Sequence, residues 1–380
     1  MSMTDIAGES PRRRSRRHAD PPSPAPAGNM ATGLLKLFAL VFMFVDHSGK
    51  VLFNDMVEMR TLGRIAFPLY IWCMIVGFYR TRNVSRYMIR VMLTGLVSQP
   101  LYYLALDYQG HLGVLIDKTL LPFSGGFSFP ALWEVLYTVF MAKPNIFLTL
   151  LMGLVALCAI REKDWLRKVW IPGCFLMLMT VLALIHDKKL DPVWQKLSAP
   201  FAAGFSISAM WEAVVIFFWK TPNYFSLLLL AASLLWKISG KDRRMGQVWG
   251  PAVLMILATV LKADYGWKGV LFFIMIYAVQ NTRTGLAAVI VSYLLFWGGS
   301  YSITASLFGE KIKLNLLPDS LASPVRSLLR SETYAIASLP LILIRFPRDL
   351  RLPKWLSYLL YPGHLIILIV LKILIFGWAG

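Results

Sequence analysis

The stretch LLKLFALVFMFVDHSGKVLF, residues 34–53, decides how the chain is read. It has the length and apolar character of one membrane crossing, about 20 residues. Yet it carries Lys36 near one end and Asp46, His47 and Ser48 deep toward the other. An ionisable side chain inside a bilayer is costly unless it faces protein, a water-filled cavity or the headgroups. Lys36 can snorkel to the headgroups, whereas His47 lies too deep and must face protein or a cavity. The two are eleven positions apart, which returns them to nearly one helical face, about 16 Å apart along the axis. Asp46 points about 100° away from His47. It is therefore a candidate partner for an arginine on another element rather than for the imidazole beside it. A neutral histidine in such a site can take a proton from an incoming hydroxyl or amine. The other reading is a packing histidine bonded to a neighbouring carbonyl.

Working outward, the 380-residue chain is 57% hydrophobic and 16% charged, against about a quarter charged in a soluble domain. Apolar blocks recur along nearly the whole length without the strict alternation of a membrane barrel. The fold class expected is all-α, a polytopic integral membrane helical bundle with about ten or eleven spans. The net charge of +19 sits in the gaps between apolar segments, as expected of cytoplasmic loops, and this argues against nucleic acid as a partner. Cys73, Cys158 and Cys174 lie in apolar blocks and read as buried thiols, with neither a disulfide framework nor a metal-ligand spacing. Residues 1–30 read as a disordered basic cytoplasmic tail. Its arginines are separated from the first apolar run by Pro-rich sequence, a poor signal peptide, and they can touch anionic lipid. Residues 31–380 form the transmembrane part, with non-cytoplasmic inserts near 107–144, 187–222 and 301–332.

Basic loops set the orientation. The second span, IAFPLYIWCMIVGFY, ends at RTRNVSRYMIR, whose arginines place that loop and the amino terminus inside. Later spans end at REKDWLRK, KISGKDRR, QNTR and RFPRDLRLPK. LVSQPLYY adds Ser98, Gln99 and a proline that breaks the third helix. One internal echo is visible: FSFPALWEVLYTVFMAKPNIFLTLLMG at 127–153 resembles FSISAMWEAVVIFFWKTPNYFSLLLLA at 205–231. The copies are parallel rather than inverted as in many transporters. Glu134 and Glu212 each stand in apolar context, where a carboxylate needs a partner; the plainer reading is two amphipathic segments against the outer interface.

Other ionisable groups gather beside the spans. MRTLGRIAFPLY places Arg60 and Arg64 four apart on one face, able to clamp an anion or to pair with Asp46, Asp55 or Glu58. LKADYGWKGVLFF supplies Lys262, Asp264, Tyr265 and Lys268 at the outer end of two spans. YLLYPGHLIILIV puts His364 near the start of the last span, nearer the inner face on this topology.

These stretches resemble the TraX family, named for a conjugative-pilus protein and regarded as membrane acetyltransferases. The matching pieces are KLFALVFMFVDHSGKVLF, LGRIAFPLYIWCMIVGFYRTRNVSRYMIRVMLTGLVSQ, KPNIFLTLLMGLVAL, ADYGWKGVLFF and LYPGHLIILIVL. In this order they cover most of the chain beyond the tail. The family looks like a branch of the wider membrane acyltransferase type with about ten spans, in which a basic residue and a histidine flank ten residues of the first span, as Lys36 and His47 do. The resemblance implies a multi-pass protein of the bacterial inner membrane, amino terminus in the cytoplasm. It also implies acetyl transfer from cytosolic acetyl-CoA, in the pilus case onto the amino terminus of pilin. The basic tail, the insert around 108–144 with its echo at 197–222 and the loop at 301–332 depart from the compact pattern and leave the acceptor open between a protein amine and a saccharide hydroxyl.

The mechanism expected is direct transfer. His47 takes the acceptor proton, Arg64 with Arg60 stabilises the oxyanion or the CoA phosphates, Lys36 receives CoA at the cytoplasmic mouth, and Asp46, Asp264 and His364 support or orient. No metal is called for. Two rivals stand beside it: a secondary transporter or flippase, since buried charge also marks transport paths, and a non-catalytic membrane assembly protein.

Overall fold

A computed structural model describes residues 25–53, 55–106, 112–186, 199, 204, 206–215, 243–296, 304–307, 310–313, 331–350 and 353–377. Residues 1–24 of the expected tail, the span ending at KISGKDRR, and most of the 187–222 and 301–332 inserts lie outside the described residues.

The first helices are α1 (Thr32–Val51), α2 (Val57–Gly63), α3 (Ala66–Arg80) and α4 (Val84–Leu106). After them come α5 (Leu112–Leu120), α6 (Phe129–Phe140), α7 (Ile146–Arg161), α8 (Trp165–Lys168), α9 (Trp170–His186) and α10 (Ile207–Val215). The carboxy-terminal half adds α11 (Arg243–Val260), α12 (Gly266–Ala278), α13 (Arg283–Phe296), a 3-10 segment Ser331–Ala337, α14 (Ser338–Leu343) and α15 (Lys354–Phe376). A short antiparallel hairpin, Thr304–Leu307 with Glu310–Lys313, is the exception to this helical architecture.

Side chains from distant sequence set several helix starts. Asp349 Oδ1 accepts from the backbone N–H of Gly33 at 2.9 Å and so caps α1, taking up a donor that has no partner within the helix. Asn145 caps α7 by accepting from Phe147 N–H, while its own N–H donates to Gln99 Oε1 and its amide to the Gly95 carbonyl. Ser128 caps α6 through Ala131 N–H, and Ser206 accepts from Ala209 N–H at the start of α10. The echo seen in the sequence therefore includes an equivalent cap. Pro222, Asn223 and Phe225 of the second copy lie outside the described residues.

The centre is α3 packed with α7. Leu69, Ile71, Trp72, Ile75, Val76 and Phe78 of α3 are buried, as is the run Leu148–Ala159 of α7. A helix apolar on every side belongs in the interior. On one flank α1, α2, α4 and α15 gather; on the other lie α11 to α13. Gly63 lets α2 close on α1, since a Cβ there would fall 2.1 Å from Asp46 Cβ.

Several expectations need correction. Pro100 does not break the third helix, because α4 runs unbroken from Val84 to Leu106. A missing N–H inside a long apolar helix is tolerated where neighbouring groups take up the freed carbonyl. The end of the expected disordered tail is packed instead. Asn29 N–H donates to the Ile342 carbonyl, its amide to the Leu341 carbonyl, and its own carbonyl accepts from Trp72 Nε1. Cys73 and Cys158 are buried, but Cys174 is exposed on α9. Two stretches among the described residues are long and apolar enough to cross a membrane, Val57–Arg80 and Trp355–Phe376, accompanied by seven shorter apolar helices. The chain's own polar residues account for part of the shortfall. At 20 residues α1 has the length but carries Lys36, Asp46, His47 and Lys50, and α4 carries Arg86 and Arg90. The segment ending near 345 is a 3-10 stretch followed by a short helix, together extending about 23 Å.

Candidate functional site

Side chains from α15 and α4 meet His47 of α1. Its Nδ1 lies 3.0 Å from Nε2 of His364 on α15, with the two rings stacked at 5.2 Å. The contact joins the last part of α1 to the middle of α15. The Tyr102 ring of α4 stands edge-on to His47 at 6.3 Å.

Asp46 faces the other way, toward α2. Arg60 Nε lies 3.6 Å from Asp46 Oδ1, and Arg60 NH1 donates to Asp55 Oδ1 at 2.6 Å. Asp55 sits in the α1–α2 turn at a positive φ of 62°, a conformation to which short polar residues are better suited than most. Arg64, one turn on from Arg60, donates from NH1 to the Tyr265 hydroxyl at 3.4 Å, and its Nε stands 4.0 Å from Glu332 Oε1. Tyr265 is held flat against Phe67 of α3, ring centroids 3.8 Å apart.

These groups enclose a small cavity of about 80 Å³ whose lining includes Asp46, His47, Lys50, Arg60, Arg64, Asp264 and Tyr265. Two carboxylates and three cations around so confined a space favour a charge that develops negatively within it. His364 touches His47 from behind. With Nδ1 taken, His47 presents Nε2 as the nitrogen available to a substrate.

Lys36 is elsewhere. It lines a second cleft of about 310 Å³, together with Arg80 and Arg90, at the end of the bundle that bears the α3–α4 basic turn. The structure therefore keeps Lys36 apart from Arg60 and Arg64, as expected from its place at the far end of α1. The reason is axial distance along α1, with Lys36 three turns before His47. Tyr70 and Tyr361 line both spaces.

Sequence reading missed Tyr361, Tyr70, Tyr102 and Lys50. For Tyr361 there was a usable sign: it stands three residues before His364, on the same helical face. Glu134, by contrast, finds the partner it needed, lying 3.0 Å from His186 Nε2 on α9, whereas Glu212 is exposed.

The site is thus a part-buried histidine pair beside a mixed-charge cavity in a helical bundle. The model of the TraX protein family matches residues 31–121 and 193–372, and the chain belongs to that family. The 143–157 stretch falls between the matched regions, while Asp46, His47, Lys50, Arg60, Arg64, Asp264, Tyr265 and His364 fall within them. A 72-residue stretch is 32% identical to "Probable fimbrial assembly protein FimC, serogroup H1" of Dichelobacter nodosus, covering 18% of this chain and 30% of that protein. The match thus spans under a third of that relative. No solved structure matches the chain.

Proposed function

We propose that the protein is a multi-pass enzyme of the bacterial inner membrane, with about ten or eleven spans and its amino terminus in the cytoplasm. It moves an acetyl group from cytosolic acetyl-CoA to an amine or hydroxyl, and it is a branch of the wider ten-span membrane acyltransferase type. A membrane setting is supported by apolar side chains left exposed on α15 and α9, among them Leu374 at 75% and Trp170 at 71%. Faces of this kind are unfavourable in water and suited to lipid.

The observation that carries the reading is the pairing of His47 with His364 beside the small cavity, with Tyr70 and Tyr361 lining both that cavity and the basic cleft. Acetyl-CoA enters the cleft past Lys36, and the acceptor reaches the cavity from the opposite side. His47 Nδ1–H donates to His364 Nε2, which fixes the tautomer and leaves Nε2 as the base. The acceptor nitrogen or oxygen bonds to the acyl carbon as its proton passes to His47 Nε2. The carbon–sulfur bond then breaks, and the leaving thiolate takes the proton from His47. Arg64 lowers the energy of the oxyanion. Arg60 and Asp46 hold the α1–α2 hairpin in place, and Asp264 orients the acceptor at the outer mouth. A cavity of about 80 Å³ is small, which suits an acetyl group better than a fatty chain.

The relative's name, fimbrial assembly protein, favours a fimbrial or pilin-like protein as acceptor over a saccharide. It also supports a second reading, a non-catalytic role in fimbrial assembly. Membranes holding the full chain, supplied with labelled acetyl-CoA, test both. Label in a protein or glycan that disappears with His47→Ala supports the enzyme. Substrate movement without acetylated product supports a transporter. Silent His47 and Arg64 replacements with assembly intact support the non-catalytic role.

A further inference from the structure

Tyr361 is 4% exposed. Its ring packs edge-on against Phe147 at 4.7 Å and against His364 at 5.0 Å. Its hydroxyl has no hydrogen-bond partner among the described residues, an arrangement that costs free energy unless something binds there. Tyr102, Asp264 and Tyr70 line the cavity that holds His47, and Tyr361 lines it with them. Tyr361 also lines the cleft that holds Lys36 and Arg90. The side chain that carries this orphaned donor thus lines both spaces, one helical turn from the residue that holds His47.

We infer that the Tyr361 hydroxyl is a catalytic hydrogen-bond donor to the carbonyl oxygen of the acyl group; this rests on the acyl-transfer reading above. A thioester entering through the cleft reaches the cavity at Tyr361, where its carbonyl oxygen accepts from the phenol. When the acceptor atom bonds to the acyl carbon, the carbonyl electron pair moves onto that oxygen and the hydrogen bond strengthens. Collapse returns the pair to the carbonyl and expels the thiolate. Tyr361 keeps its proton throughout, and His47 alone carries the proton from acceptor to leaving sulfur. Arg64 complements it from the opposite wall, where its guanidinium is already turned toward Tyr265 and Glu332.

Tyr361→Phe, compared with wild type and His47→Ala, tests this in membranes containing the full chain and labelled acetyl-CoA. Tyr361→Phe is expected to lose about 10²- to 10³-fold in kcat, the usual effect of deleting one such donor, with KM for acetyl-CoA changed by less than about twofold. Its melting temperature in detergent should not fall, because the ring packing stays and no internal hydrogen bond is lost. A kcat within about threefold of wild type overturns the inference, as does a lower melting temperature, which would show that the hydroxyl bonds within the protein. Labelled product that needs His47 but not the Tyr361 hydroxyl overturns this inference alone. If wild-type membranes form no labelled product, the acyl-transfer reading falls and takes this inference with it.

Discussion

His47 Nδ1 and His364 Nε2 stand 3.0 Å apart, joining α1 to α15 across 317 positions of sequence. Two imidazoles at that distance share one proton, so each ring fixes the tautomer of its partner. His47→Ala is expected to lower acetyl transfer by about 10²- to 10⁴-fold, the range for a general base. His364→Ala should cost less, since His47 keeps its Nε2. The double variant should be no slower than His47→Ala alone, because residues acting as one unit are not additive. Single-turnover rates of label transfer for the three variants check this, and a fully additive double variant would count against the pair.

Arg64 offers a planar fork to Tyr265 on one side and approaches Glu332 on the other. Lysine keeps the charge but not the fork. Arg64→Lys is expected to retain folding and lose about 10²-fold in kcat, with Arg64→Ala losing at least as much. Steady-state kinetics with labelled acetyl-CoA distinguish this from a bridge of purely structural use, which would lower the melting temperature instead.

Gly63 tests the α1–α2 contact. The Cβ of an alanine there would overlap Asp46, 2.1 Å from its Cβ and 2.8 Å from its Cα. Overpacking of this kind costs about 1–3 kcal/mol. Because Asp46 neighbours His47, Gly63→Ala should lower both the melting temperature in detergent and the transfer rate. Unchanged stability would mean that α1 and α2 can separate freely.

Asn145 holds α7 to α4 with two hydrogen bonds, to Gln99 and Gly95, and caps α7 by accepting from Phe147 N–H. Asn145→Ala removes a helix cap worth about 0.5–2 kcal/mol and leaves the Gly95 carbonyl without its amide donor. Thermal unfolding should shift down by an amount at or above that range. Transfer measured well below the unfolding temperature should be little affected, since neither residue lines the His47 cavity.

At the turn between α7 and α8, Glu162 accepts from Arg161 Nε at 2.8 Å and pairs with Lys168. Burial alone pushes its carboxyl up, but the hydrogen bonds from Lys168 and Arg161 outweigh this and hold it below the usual carboxylate value. A folded-state value below the unfolded one adds stability above the unfolded pKa of about 4.3. That stability is lost as pH falls through the folded value. The melting-temperature gap between wild type and Glu162→Gln should therefore close on acidification from about pH 7 to about pH 3.

Much of the fold was legible. Apolar runs marked α1, α3, α7, α9 and α15 to within a few residues, because a long apolar block can be satisfied only by a helix whose own backbone takes up its polar groups. The 100° step of the helix also separated Asp46 from His47 and made it a candidate partner for Arg60 or Arg64, of which the structure sets Arg60 beside it. Less could be read of the ends. Asp349 caps α1 from more than 300 positions away, and no local pattern announces such a partner. Continuity through Pro100 was equally hidden, since it depends on what surrounds α4 rather than on its sequence.

By itself, then, the sequence determined a predominantly helical architecture, the polar residues in the first apolar run and the depth that keeps Lys36 from His47. These follow from periodicity and hydropathy, which act within one segment. Only the tertiary structure decided that His364 meets His47, that Arg64 turns toward Tyr265, and that Tyr361, with its unpartnered hydroxyl, lines two cavities. Contacts between helices depend on how closely their backbones approach and at what angle they cross. In this protein small residues such as Gly63 and Gly95 set part of that approach, and their effect shows only once the partner helix is in place.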